Sequence, residues 1–135
     1  MKSKYFIIEE LVDRETFKKR GQKAWELIDP ILIKMIDSIK EEFPKGTITI
    51  NNWKWGGDRE WSGLRTIKSS YYSSYSMHTF GKAVDMIFSD YTAEEVRNII
   101  KTKKTSFDMI KGLESGISWL HIDIRNREEM LVFTA

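Results

Sequence analysis

The chain has 135 residues, a length that suits one domain burying roughly two-thirds of its unfolded surface. Hydrophobic content of 41% and charged content of 31% are ordinary for a globular protein, and a formal charge of +2 is too small to argue for nucleic acid. There is no cysteine, which excludes a closed thiolate metal site, and no apolar run near 18 residues, so no membrane span is expected. Glu9, Glu10 and Asp13 interrupt the short apolar stretch near the start, so no signal peptide is expected either.

In chain order, residues 7–20 read as short helical pieces around Ile7, Ile8, Leu11, Val12 and Phe17. Asp29-Pro30 predicts an N-cap with proline in the first turn, opening a helix to about Phe43. Ile33, Ile36 and Ile39 give that helix an apolar stripe, and Pro44-Lys45-Gly46 ends it. Thr47 to Asn51 alternates β-branched residues as a strand does. Residues 52–76 show no period but carry Trp53, Trp55, Trp61, Tyr71, Tyr72 and Tyr75. A long irregular segment inside a small domain is often functional. Its aromatics suit a substrate wall or a satellite core under the loop, the second fitting the tryptophans slightly better.

Ala83 to Phe88 predicts a strand with Asp85 and Ile87 on one face and Val84, Met86 and Phe88 on the other. Thr92-Ala93-Glu94-Glu95 is a capping box for a helix to about Lys101. Phe107–Glu114 and Ser118–Arg125 predict a hairpin around Ser115-Gly116, and Leu131–Phe133 a closing strand. Helices packed on an antiparallel sheet, in an α+β domain over residues 1–135, follow from this order.

The only two histidines sit in segments of unusual composition. One is Ser76-Met77-His78-Thr79-Phe80-Gly81-Lys82-Ala83-Val84-Asp85, the other Ser118-Trp119-Leu120-His121-Ile122-Asp123. A catalytic zinc takes three protein ligands and leaves a position for water, and His78, Asp85 and His121 supply such a set. Gly81 permits a turn after His78, while Trp119, His121 and Asp123 share one strand face. Two neighbouring strands would bring Asp85 and His121 together. A lone histidine on a strand is more often simply hydrogen-bonded or exposed; two in such segments weaken that reading.

The hairpin adds a carboxylate. With a four-residue loop, Glu114 pairs with Trp119, one ladder position from His121 and on its face. There it suits the general base for a metal-activated water. The alternative is a glutamate at a hairpin end that faces solvent. Asp123, on the same face, reads as a partner that orients a ligand or as a local salt-bridge residue.

The pattern Ser-x-His-x-x-Gly-x-Ala-x-Asp, followed about 35 residues later by Trp-x-His, resembles the signature of zinc peptidases that cut peptidoglycan. These are the D-alanyl-D-alanine carboxypeptidases and L-alanyl-D-glutamate endopeptidases of the hedgehog/DD-peptidase fold, and the likeness is greatest to small phage and prophage members. It spans residues 47–125, and the opening from Lys4-Tyr5-Phe6 to Leu11-Val12 is also similar. The resemblance implies zinc held by His78, Asp85 and His121, with Glu114 as general base. Arg65, in Ser62-Gly63-Leu64-Arg65, resembles an arginine that meets substrate or the transition state. Ser76 and Trp119 are the candidate substrate-binding residues. The resemblance also implies a peptidoglycan peptide as substrate and a monomer held in the cytoplasm until lysis or carried in a virion. A zinc-bearing module that binds cell-wall or virion components without cleaving them is the alternative of a different class.

Overall fold

A computed structural model of the chain describes residues 1–103 and 105–134. The N-terminal third is helical. Helix α1 (Arg14–Arg20) starts at Asp13, whose side chain accepts from the Thr16 amide, and a 3-10 run (Gly21–Leu27) leads to α2 (Pro30–Glu42). Asp29 caps α2 by accepting from Ile31 N at 2.9 Å, with Pro30 in the first turn as expected. Leu32, Ile33, Met35, Ile36 and Ile39 form its buried stripe. Helix α3 (Ala93–Thr102) carries the expected capping box: Thr92 N donates to Glu95 and Glu95 N to Thr92 Oγ1, at 3.0 and 3.1 Å.

Among the described residues five strands make one sheet: β1 (Ile48–Thr49), β2 (Ala83–Phe88), β3 (Gly112–Glu114), β4 (Leu120–Asp123) and β5 (Leu131–Phe133), in the order β1-β2-β4-β3-β5. The architecture is α+β. The sheet is mixed rather than antiparallel throughout, because β5 runs parallel to β3. The cause is geometric: β4 ends beside the start of β3, with Asp123 paired to Gly112. A chain that turns back there along the free edge of β3 must run in the direction of β3. Bonds from Leu131 N to Lys111 O and from Ser115 N to Phe133 O fix the pair at 2.9 and 2.8 Å.

Three expected strands shorten, the first of them, Thr47 to Asn51, to Ile48–Thr49. Phe107 to Met109 is turn and residues 110–111 are irregular rather than strand, since Phe107 and Ile110 enter the core three positions apart, a spacing alternation cannot serve. Ser118 and Trp119 stay outside β4. The hairpin loop is longer than four residues: Glu114 pairs directly with His121, enclosing residues 115–120. On the sheet's other face Val84, Met86, Leu113, Leu120 and Ile122 are fully buried and share one apolar cluster with the inward stripes of α2 and α3. At roughly 1.5–3 kcal/mol for each large apolar side chain buried, this face holds the sheet rigid under the residues opposite.

Candidate metal centre

His78 stands on a 3-10 turn (Met77–Phe80) that Ser76 opens, its hydroxyl accepting from His78 N at 3.3 Å. Gly81 closes the turn in the left-handed region at φ 68°, and a Cβ there would overlap the Leu27 carbonyl. Asp29 N donates to Gly81 O at 3.0 Å and Lys82 pairs with Asp29 at 2.8 Å, so the turn is tied to the start of α2. His78 Nδ1 donates to Gly63 O at 2.8 Å, which leaves Nε2 bare and directed 3.3 Å from Asp85 Oδ1.

Asp85 and His121 are register partners on β2 and β4. His121 Nδ1 lies 2.9 Å from Asp85 Oδ1, and its Nε2 lies 3.0 Å from Asp123 Oδ2. Arg125 clamps Asp123 with Nε on Oδ1 at 2.8 Å and Nη2 on Oδ2 at 2.7 Å. Gly112 faces Asp123 across the ladder, and a Cβ at that position would occupy the carboxylate's place. An Arg125–Asp123–His121 chain thus fixes the ring from behind and leaves Nδ1 for the site.

His78, Asp85 and His121 are all buried, and one donor atom of each lies within 4.8 Å of the other two. Donors of a tetrahedral site, at ~2.1 Å from the ion, sit roughly 3.4 Å apart. The Asp85 contacts at 3.3 and 2.9 Å are of that order. Two imidazoles and one carboxylate, each with its far atom held by a hydrogen bond, are able to hold a divalent metal ion.

In the metal-free protein the same cluster is strongly coupled. Burial disfavours a charged His121, but hydrogen bonds and charge from Asp123 and Asp85 outweigh it and push its pKa up to about 9. Burial would raise Asp85, yet the two imidazoles hold its carboxyl well below the usual range. Asp123 is lowered against the same penalty, first by Arg125 and then by His121. At neutral pH the two carboxylates are therefore ionised, while His121 carries a proton that a cation would have to displace.

Glu114 sits on β3 directly opposite His121, so Asp85, His121 and Glu114 form one row across three neighbouring strands. This register places Glu114 one ladder position nearer the row than the four-residue loop predicted. A cavity of about 500 Å³ opens in front, lined by the three donors together with Glu114, Arg65, Ser76 and Trp119. A second cavity of about 350 Å³ adjoins it through Arg65, Tyr71, Asp85 and Trp119. Arg65 spends Nη2 on Asp85 Oδ2 at 3.0 Å and Nε on Trp61 O at 2.8 Å. Burial lowers its pKa, opposed by the Asp85 charge. Trp119 is 36% exposed over both cavities.

Of the tryptophans in the irregular segment, Trp53 donates to Val12 O at 2.8 Å and packs 6.1 Å from Phe17, as a satellite core residue does. Trp55 is exposed, and Trp61 lines the smaller cavity.

Three positioning residues went unread in the sequence: Gly112, Arg125 and Arg97. Arg97 is 3% exposed and donates to Ile117 O at 2.9 Å and Trp119 O at 3.1 Å, pinning the segment that enters β4. The signal was present, since Arg97 falls on the Ala93, Val96, Ile100 stripe, where an arginine must find buried acceptors. Arg125 lay two positions from Asp123, the same-face spacing of a strand.

No family model, curated protein or solved structure matches the chain. Among the described residues no helix is long and apolar enough to cross a membrane.

Proposed function

We propose that the chain is a zinc-dependent peptidase that hydrolyses peptidoglycan stem-peptide bonds, built on the hedgehog/DD-peptidase fold. The observation that carries the reading is the row Asp85–His121–Glu114, with His78 entering from its turn: a three-donor metal group with a carboxylate in register beside it. The spacing of the two histidine motifs supports the substrate class. His78, Asp85 and His121 would hold the zinc, which when bound would supply a water of lowered pKa and a Lewis acid for the scissile carbonyl.

The chain's own residues do the rest. Glu114 takes the proton from the attacking water and returns it to the leaving amine, the work of a general base turned acid. Asp123 keeps the Nε2 proton of His121 in place, so that Nδ1 remains the donor toward the metal. Arg65 holds Asp85 through Nη2 and offers the rest of its planar guanidinium to a substrate carboxylate or to the developing oxyanion. Trp119 and Ser76, both at the cavity wall, would contact the peptide. In this reading the protein reaches the wall at lysis or with a virion.

The test is incubation of the zinc-loaded protein with purified peptidoglycan and identification of the fragments by mass spectrometry. New peptide termini at one bond type, absent with Glu114→Gln, support the peptidase. A zinc-loaded protein that leaves every peptidoglycan type intact makes it the non-catalytic binding module instead.

A further inference from the structure

The segment Ser69 to Ser76 reads Ser-Ser-Tyr-Tyr-Ser-Ser-Tyr-Ser, eight residues with neither a charge nor an aliphatic side chain. It is not slack. Tyr72 N donates to Ser69 O and Ser76 N to Ser73 O, both at 3.2 Å, while Tyr71 N donates to Ser69 Oγ at 3.0 Å. Thr79 Oγ1 adds a bond to Ser73 O at 2.7 Å, tying the segment to the turn that carries His78. These stapled turns hold Tyr71 at 67% and Tyr75 at 86% exposure, both at the wall of the larger cavity. Tyr71 also reaches the smaller cavity, with the Arg65 guanidinium 5.8 Å from its ring centre.

Two large aromatic rings kept in water at the mouth of a cavity mark a contact surface rather than a core. Tyrosine gives rigid amphipathic area at little entropic cost and serine gives adaptable hydrogen bonds, a pairing that serves binding surfaces. The absence of charge selects the ligand. A stem peptide brings carboxylates and ammonium groups, and the charges suited to them lie in the cavity at Arg65 and Glu114. A sugar ring brings an apolar C–H face and a rim of neutral hydroxyls, which a tyrosine face and serine hydroxyls match.

We propose that Tyr71 and Tyr75, on their serine-rich turns, form a platform for the uncharged glycan strand beside the peptide cleft. The proposal rests on the peptidase reading for the choice of polymer. The site then engages both components of its substrate: the peptide at the metal floor and the sugar at the tyrosine rim.

The probe is a soluble β-1,4-linked N-acetylglucosamine oligomer, an uncharged glycan that carries neither stem peptide nor carboxylate, titrated calorimetrically into the whole purified protein. Wild type binds it, and the Tyr71→Ala/Tyr75→Ala double variant loses about tenfold or more in affinity, as truncation of aromatic anchors does. Tyr75→Phe retains binding because the ring face remains, and zinc content and melting temperature stay at wild-type values in each variant. Absence of binding by wild type, or equal binding by the double variant, overturns the platform. Because the probe holds no peptide bond, the two readings fail separately. Stem-peptide cleavage without glycan binding removes the platform alone. Tyrosine-dependent glycan binding without any cleavage keeps the platform and removes the peptidase.

Discussion

Asp85, His121 and Glu114 stand on strands, whereas His78, Arg65 and Trp119 stand on turns and loops, and the two groups are positioned by different forces. The strand-borne residues are aligned by ladder hydrogen bonds over a fully buried apolar face, so the backbone sets their spacing before any side chain acts. The loop-borne residues each depend on a specific bond between a side chain and a backbone carbonyl. His78 leans on Gly63 O, Arg65 on Trp61 O, and the Trp119 backbone on Arg97. Side-chain changes on the strands should therefore alter chemistry without altering the fold, while lost anchors on the loops should alter geometry and stability together.

Glu114→Gln tests the strand half most severely. It keeps size and most hydrogen bonding but removes the proton acceptor, so turnover on peptidoglycan fragments should fall by ~10²–10⁴-fold. Zinc content and melting temperature should not change. Full activity in this variant would detach Glu114 from the reaction and leave the row without its base.

Asp123→Asn comes next. The variant keeps the bulk but loses the charge that orients His121, and zinc affinity should drop ~10–100-fold in competition with a chelator. An unchanged affinity would show that the ladder alone orients the ring.

The pH dependence sharpens the same point. The raised pKa of His121, about 9 against an ordinary 6.5, means its ion pairs stabilise the metal-free fold fully below about pH 6.5. That contribution is lost as pH rises through about 9. Asp85 and Asp123 are shifted down from 3.8, so their contribution is present above that value and lost as pH falls below it. Melting temperature of the metal-free protein should therefore peak between these limits. Zinc binding at pH 7 must displace the His121 proton, so apparent affinity should rise about tenfold per pH unit up to about pH 9. Calorimetry in buffers of different ionisation enthalpy reads the proton directly, and release of none would contradict the coupling.

For the loop half, Arg97→Met should leave the Ile117 and Trp119 carbonyls without their buried donor, at a cost of ~1–3 kcal/mol in denaturant unfolding. The peptide KM should worsen more than zinc affinity, since the segment carries Trp119 and not a ligand. Unchanged stability would mean that water replaces the guanidinium at no cost.

Much of this architecture is legible in the sequence. Helices α2 and α3 announced themselves through Asp29-Pro30 and the Thr92/Glu95 box, because caps are local chemistry. Strand β2 was legible to the residue, since its alternation is bracketed by Gly81 on one side and Ser89-Asp90 on the other. The three donors were legible as a group because the chain has only two histidines and Asp85 stands seven residues after one of them, on the strand that its turn opens. What the sequence hid was set over long range. The Glu114–His121 register involves a loop whose Ile117 and Trp119 carbonyls Arg97 holds from another element. The parallel pairing of β5 followed from which end of β3 the chain passed. Phe107 and Ile110 passed for strand residues because their apolar character, and not their spacing, dominated the local pattern.

The most direct test of the central claim is a zinc titration of metal-free protein, run on wild type and on His78→Ala, Asp85→Asn and His121→Ala. One equivalent should bind to wild type, and each single variant should lose that site while its helices and sheet persist by circular dichroism. Full zinc affinity in the His121→Ala protein would contradict the account.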